Sequence, residues 1–124
     1  MRKYIALLLL VGCQHPDKGG SLSPTDFESK YKSSDNAILI DVRSEEEVKG
    51  GALPNARNII YDDRFADKLG GLPKNAPIFV YCAAGKRSAK AAEIMKQQGF
   101  TEVYQLKGGL NAWKAAQLSS KGSD

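Results

Sequence analysis

Ile78-Phe79-Val80-Tyr81-Cys82-Ala83-Ala84-Gly85-Lys86-Arg87-Ser88 is the stretch whose reading decides the fold. Its first four residues form a continuous apolar run rich in β-formers, which suits a strand buried on both faces of a parallel sheet. From Ser88 to Gln98 the pattern is helical, and Gly99 stands where a left-handed C-terminal cap belongs. Cys82 is therefore expected at the carboxyl end of a buried strand, in a short loop leading into a helix. Open α/β sheets place ligands at that edge. A small, glycine-bearing loop can turn several backbone N–H groups toward one point, and with the positive end of the helix dipole it makes an anion cradle. Lys86 and Arg87 add two cations beside it. A free thiol has a pKa of about 8.5, and helix N-termini and neighbouring cations lower it, so Cys82 is expected to be a reactive thiolate.

Working outward, Ala37-Ile38-Leu39-Ile40-Asp41-Val42 is a second buried-strand run, followed by Arg43. Ser44-Glu45-Glu46-Glu47 has capping-box spacing and opens a short helix ended by Gly50-Gly51, its acidic triplet complementing the dipole. Ser23-Pro24-Thr25-Asp26 starts an earlier helix that runs to about Lys32. Ala56 to Tyr61 reads as a strand and Asp62 to Leu69 as a short helix stopped by Gly70-Gly71 and Pro73. Val103 to Leu106 is the last strand, Gly108-Gly109 a turn, and Asn111 to Leu118 a closing helix with Trp113 inward, leaving 119–124 as a disordered polar tail. Strands and helices alternate, so the fold class is α/β with a mainly parallel central sheet flanked by helices.

The chain has 124 residues, enough for one domain, with 42% hydrophobic and 26% charged residues, as in ordinary globular chains. Its formal charge of +4 includes Arg2 and Lys3, and without them 16 basic side chains face 14 acidic ones. That excess is too weak to argue for nucleic acid. With one His and no Cys cluster, neither a metal site nor a cofactor is expected.

The N-terminus has its own pattern. Arg2 and Lys3 precede an apolar run from Ile5 to Val11, too short to span a bilayer. It ends Leu10-Val11-Gly12-Cys13, which resembles the lipobox of bacterial lipoproteins. The resemblance implies a signal peptide over residues 1–12 and an acylated Cys13. Residues 13–21 then serve as a lipidated, flexible tether of roughly 15 Å, the last eight being Gln14 to Ser21. Localisation would be the cell envelope, periplasm-facing, with Gln14 pointing to the outer membrane. His15 is a solvated tether residue in this reading. With Cys13 acylated, Cys82 has no disulfide partner in the chain.

Four segments in order resemble a single-domain rhodanese over about residues 22–118. Ile40-Asp41-Val42-Arg43 is similar to the family's Asp-Val-Arg strand end, and Glu47 to Ile59 to its Gly-His-Ile-Pro-Gly-Ala-x-Asn-Ile stretch. Cys82 to Ser88 matches its Cys-x-x-Gly-x-[Arg/Ser]-Ser loop. Phe100 to Trp113 follows its Gly-Phe-x-x-Val-x-x-Leu-x-Gly-Gly-x-x-x-Trp ending. Ala52 replaces a frequent His, and Asn55 a frequent Gly whose left-handed backbone Asn tolerates. The resemblance implies a thiosulfate sulfurtransferase. Cys82 would take sulfane sulfur from a small anionic donor as a persulfide and pass it to a thiol or cyanide. The N–H groups from Ala83, Ala84, Gly85, Lys86, Arg87 and Ser88 would hold the sulfur, and Lys86 and Arg87 would balance the donor's charge. Ser88 is expected to cap the helix. Asp41 and Arg43 are expected to brace neighbouring loops by hydrogen bonds and an ion pair, with direct substrate contact by Arg43 the alternative. Two other readings stay open: a non-catalytic rhodanese-like binding module, and a Cys-based phosphatase or arsenate reductase. The phosphatase pattern Cys-x5-Arg would put its Arg where Ser88 stands.

Overall fold

The computed structural model describes residues 18–122. The expected signal peptide, Cys13 and His15 lie outside the described residues. Five parallel strands form one sheet in the order β1-β5-β4-β2-β3. They are β1 (Lys18–Leu22), β2 (Ile38–Asp41), β3 (Arg57–Asn58), β4 (Ile78–Tyr81) and β5 (Glu102–Leu106).

The two apolar runs become β2 and β4, adjacent and buried at every position, in the register Ile38–Ile78 to Asp41–Tyr81. Alternate side chains feed two cores, as the pleat requires. Ile38, Ile40, Ile78, Val80, Cys82 and Val103 face one side, where helix α3 (Lys86–Gln97) covers them with Ala91, Ala92 and Met95. Leu39, Phe79, Tyr81, Tyr104 and Leu106 face the other. There α1 (Pro24–Ser33) contributes Phe27 and α4 (Gly109–Gly122) contributes Leu110. Trp113 packs on this core and meets the Phe27 ring edge-on, 6.4 Å between centroids.

Two of the predicted helix starts, at Ser23 and Ser44, hold. Ser23 Oγ accepts from the Asp26 N–H at 3.2 Å with Pro24 at the first helical position. Ser44 and Glu47 close a reciprocal capping box on α2 (Glu45–Lys49). Asn55 adopts φ +68°, the left-handed conformation assigned to it.

Four expectations need correction. Residues 18–21, read as tether, belong to β1, paired with β5 from Lys18–Glu102 to Leu22–Leu106. The strand hides because its stabilisation is the backbone ladder: it is an exposed edge with two glycines. A Cβ on Gly19 (φ +135°) would overlap the Val103 carbonyl, so glycine is what permits the pairing. The domain thus begins at or before Lys18, leaving residues 14–17 between Cys13 and the sheet.

The Ala56–Tyr61 strand shrinks to Arg57–Asn58, although the N–H groups of Ile59 and Tyr61 still donate to Asp41 and Val42 carbonyls at 3.0 Å. The Asp62–Leu69 helix is only a 3-10 turn, Ala66–Leu69. Asp62 Oδ1 takes the Arg64 N–H (2.9 Å), a local turn that competes with helix formation. Finally, α4 starts at Gly109 and runs through Ser119 to Gly122, where a disordered tail was expected; no Pro or Gly interrupts Leu110 to Lys121. Among the described residues no helix is long and apolar enough to cross a membrane.

Candidate active site

β4 delivers Cys82 to the carboxyl edge of the sheet, and Gly85, at φ +100°, turns the chain into α3. A side chain there would be strained, and its Cβ would stand 3.3 Å from the Gly108 nitrogen. This turn aims backbone donors at one atom. Cys82 Sγ receives the N–H of Gly85 at 3.1 Å and of Ser88 at 3.3 Å, and the Ser88 hydroxyl lies 3.4 Å away. Cys82 is 1% exposed and Ser88 fully buried. Burial is the largest influence on the thiol and pushes its pKa up. The Ser88 hydroxyl and the N–H groups of Ser88, Gly85 and Ala84 together pull harder the other way, leaving the thiol below its ordinary value.

The carbonyl side of the loop is held separately. The first N–H groups of α4 turn toward it: Leu110 donates to the Cys82 carbonyl at 2.8 Å and Asn111 to that of Ala83 at 3.0 Å. Gly109 (φ +63°) makes this approach possible, since a Cβ would sit 2.5 Å from the Ala83 carbonyl oxygen. The double glycine, read as a turn alone, is thus part of the site.

Ser88 is not the helix cap expected of it. The helix begins two residues earlier, Gly85 occupies the cap position without a side-chain bond, and Ser88 lies in the first turn facing the sulfur. Arg87 is also placed differently. Its fork grips Glu47 with Nη1–Oε1 at 2.8 Å and Nη2–Oε2 at 3.0 Å, a bidentate pair joining α3 to α2. Glu47 was read as the capping-box partner of Ser44 and a first-turn acid; 40 residues of separation left its pairing with Arg87 without a local signal. Lys86 is exposed and makes no ion pair among the described residues, so it carries the uncompensated positive charge of the loop.

The Arg87 hydrogen bonds, then the Ser44 N–H, hold the Glu47 carboxyl down at about 2. Because folding depresses this pKa from 4.5, the stabilisation is complete above about 4.5 and is lost as pH falls toward 2. Wild-type urea midpoints should therefore fall more steeply over that window than those of Glu47→Gln, which keeps the capping box but not the charge. Parallel curves would show that the pair contributes nothing.

Asp41 and Arg43 are both buried and paired: Nη2–Oδ2 is 2.7 Å and Nε–Oδ1 2.9 Å. Arg43 Nη2 also donates to the Gly51 carbonyl at 2.7 Å, and Asn58 Nδ2 donates to the Asp41 and Arg43 carbonyls at 2.8 and 3.0 Å. The Tyr81 hydroxyl accepts the Leu53 N–H at 3.0 Å. Burial, then the nearby Asp41 carboxylate, push the Tyr81 phenol well above its usual pKa. The guanidinium is committed to bracing the Gly51–Ala56 loop against the sheet.

A parallel α/β sheet with a buried cysteine at a central strand end, its sulfur held by backbone N–H groups at a helix N-terminus, defines a domain built to stabilise sulfur-centred negative charge. The chain belongs to the rhodanese-like domain family, whose sequence model matches residues 23–116. It is similar to a sulfurtransferase of Allochromatium vinosum, 30% identical over 87 residues, covering 70% of this chain and 80% of that one. A rhodanese-like domain protein from Staphylococcus aureus superimposes with a TM-score of 0.68 at 33% identity, covering 76% of this chain and 90% of that one. A tRNA uridine(34) hydroxylase of Chlamydia felis is 29% identical over 128 residues; they cover 96% of this chain but 39% of that longer protein.

Proposed function

We propose that this protein is a sulfurtransferase that moves sulfane sulfur from thiosulfate or a related donor to a thiol acceptor through a persulfide on Cys82. The observation that carries the reading is the convergence of the Gly85 and Ser88 N–H groups on the Cys82 sulfur, a cradle suited to a thiolate and then to a persulfide anion. The Cys82 thiolate attacks the outer sulfur of thiosulfate. A new S–S bond forms, the donor's S–S bond breaks, and sulfite leaves with the electron pair. An acceptor thiolate then attacks the outer sulfur of the persulfide, forming its own persulfide and returning the Cys82 thiolate. Two half-reactions of this kind give ping-pong kinetics. Lys86 is the cation available to draw in the anionic donor. The Arg87–Glu47 fork speaks against phosphatase chemistry, in which the guanidinium must be free to wrap the phosphate.

Intact-mass measurement after thiosulfate treatment tests the reading: a gain of one sulfur atom on the wild type, absent from the Cys82→Ser variant. No gain on the wild type would favour a binding module. We also propose that Cys13 is acylated and anchors the domain to the envelope membrane, on the strength of Leu10-Val11-Gly12-Cys13. Cys13→Ala should release the protein from membranes or block its processing; unchanged fractionation with an unlipidated mass argues against the anchor.

A further inference from the structure

Gln105 lies on β5, on the face that carries Val103 and in register with Val80 of β4 and Ser21 of β1. It interrupts an apolar strand, and nothing in the sequence marks it for chemistry. Its amide sits at the centre of a polar cluster behind the loop. With the nitrogen toward α3, Nε2 is 2.7 Å from Ser88 Oγ, 3.2 Å from the Gly85 carbonyl and 3.1 Å from the Leu106 carbonyl, while Oε1 accepts from Ser21 Oγ at 3.0 Å. The opposite orientation would set the amide oxygen against those carbonyl oxygens, so the hydrogen-bond network selects this one.

This arrangement decides where the Ser88 proton goes. The hydroxyl has one proton and two acceptors within reach, the Gly85 carbonyl at 3.3 Å and Cys82 Sγ at 3.4 Å. The Gly85 carbonyl already accepts the Ala89 N–H at 3.2 Å, and it shares the second Gln105 N–H with the Leu106 carbonyl. Its acceptor capacity is largely taken up. Gln105 also fills the acceptor side of the Ser88 oxygen. The sulfur is the acceptor that remains.

We propose that Gln105 is a positioning residue: held by Ser21 of β1, its amide occupies the competing acceptor and turns the Ser88 hydroxyl proton onto the Cys82 sulfur. It touches neither donor nor sulfur and acts through Ser88 alone. The charged groups around the loop, the Arg87–Glu47 and Asp41–Arg43 pairs and Lys86, take no part in the cluster. The proposal rests on Cys82 being the reacting group, but its test needs no sulfur donor, so inactivity toward thiosulfate leaves it standing.

The test is the pH dependence of iodoacetamide alkylation in the full chain, followed by mass spectrometry of the Cys82 peptide, with circular dichroism confirming the fold. Gln105→Met keeps the length and removes the amide. It should raise the alkylation midpoint by about half a unit to one unit, the worth of one hydrogen bond. Ser88→Ala should raise it at least as far, and adding Gln105→Met to Ser88→Ala should move it no further. A merely structural Gln105 would lower the melting temperature without moving the midpoint. An unmoved midpoint in folded Gln105→Met, or an equal shift in the Ser88→Ala background, overturns the proposal. Should Gln105→Met not fold, Ser21→Ala decides: a smaller upward shift supports the relay, and no shift overturns it.

Discussion

Cys82→Ser should abolish sulfur transfer, lowering kcat/KM by roughly a thousand-fold or more, while leaving the domain folded. A serine hydroxyl stays protonated at neutral pH and cannot form the persulfide that links the two half-reactions. Serine still accepts the N–H groups of Gly85 and Ser88, which alanine would leave buried without partners. The cost to the fold is therefore that of exchanging a buried thiol for a smaller, more polar hydroxyl, on the order of 1 kcal/mol. Steady-state rates with thiosulfate and cyanide, beside a thermal melt, check both halves. Turnover retained in a folded variant would refute the assignment of the nucleophile.

The second large effect falls on stability. Arg43→Met should cost about 3–5 kcal/mol, the usual result of leaving one member of a buried pair without its countercharge. The side chains of Arg43 and Asp41 are 7% and 1% exposed, so water cannot take over the lost interactions. The Gly51 carbonyl loses its donor as well. For a domain of this size, with about 5–15 kcal/mol in total, that is a large share, visible as a melting temperature lower by more than about 10 °C. Arg43→Lys should recover only part of it, because an ammonium cannot span both carboxylate oxygens and the Gly51 carbonyl in one plane. Urea midpoints for the three proteins make the comparison. A loss under about 1 kcal/mol in Arg43→Met would show the pair to be idle.

The parts of this molecule legible in its sequence are those with a local signature. β2 and β4 are unbroken apolar runs, α1 and α2 open on their own caps, and the Cys82–Ser88 loop has its glycine in place. Asn55 was readable through the family resemblance, which puts it where a Gly is frequent, and Asn accepts the positive φ such a Gly supplies. What escaped depends on partners distant in sequence. β1 has no apolar pattern and exists through its ladder to β5, some 84 residues away. The Arg87–Glu47 fork and the Ser21–Gln105–Ser88 chain likewise join groups that no spacing rule connects. Ser88 was misread by two positions only, but in a helix that changes the direction of the side chain, from a backbone cap to the sulfur.

The two-sided grip on the Cys82 loop separates capture from retention of charge. In the peptide unit joining Ala83 to Ala84, the carbonyl is absorbed by Asn111 of α4 and the N–H bears on the sulfur. That unit is a permanent dipole whose carbonyl pole is clamped by α4. Such dipoles carry no net charge and reorient little, so dissolved ions attenuate them far less than they do a full charge. Lys86, standing in solvent, is a bare charge whose reach shrinks to about 8 Å at physiological ionic strength. The chemistry of the sulfur is therefore insulated from the salinity of its surroundings, while the rate at which anions find it is not.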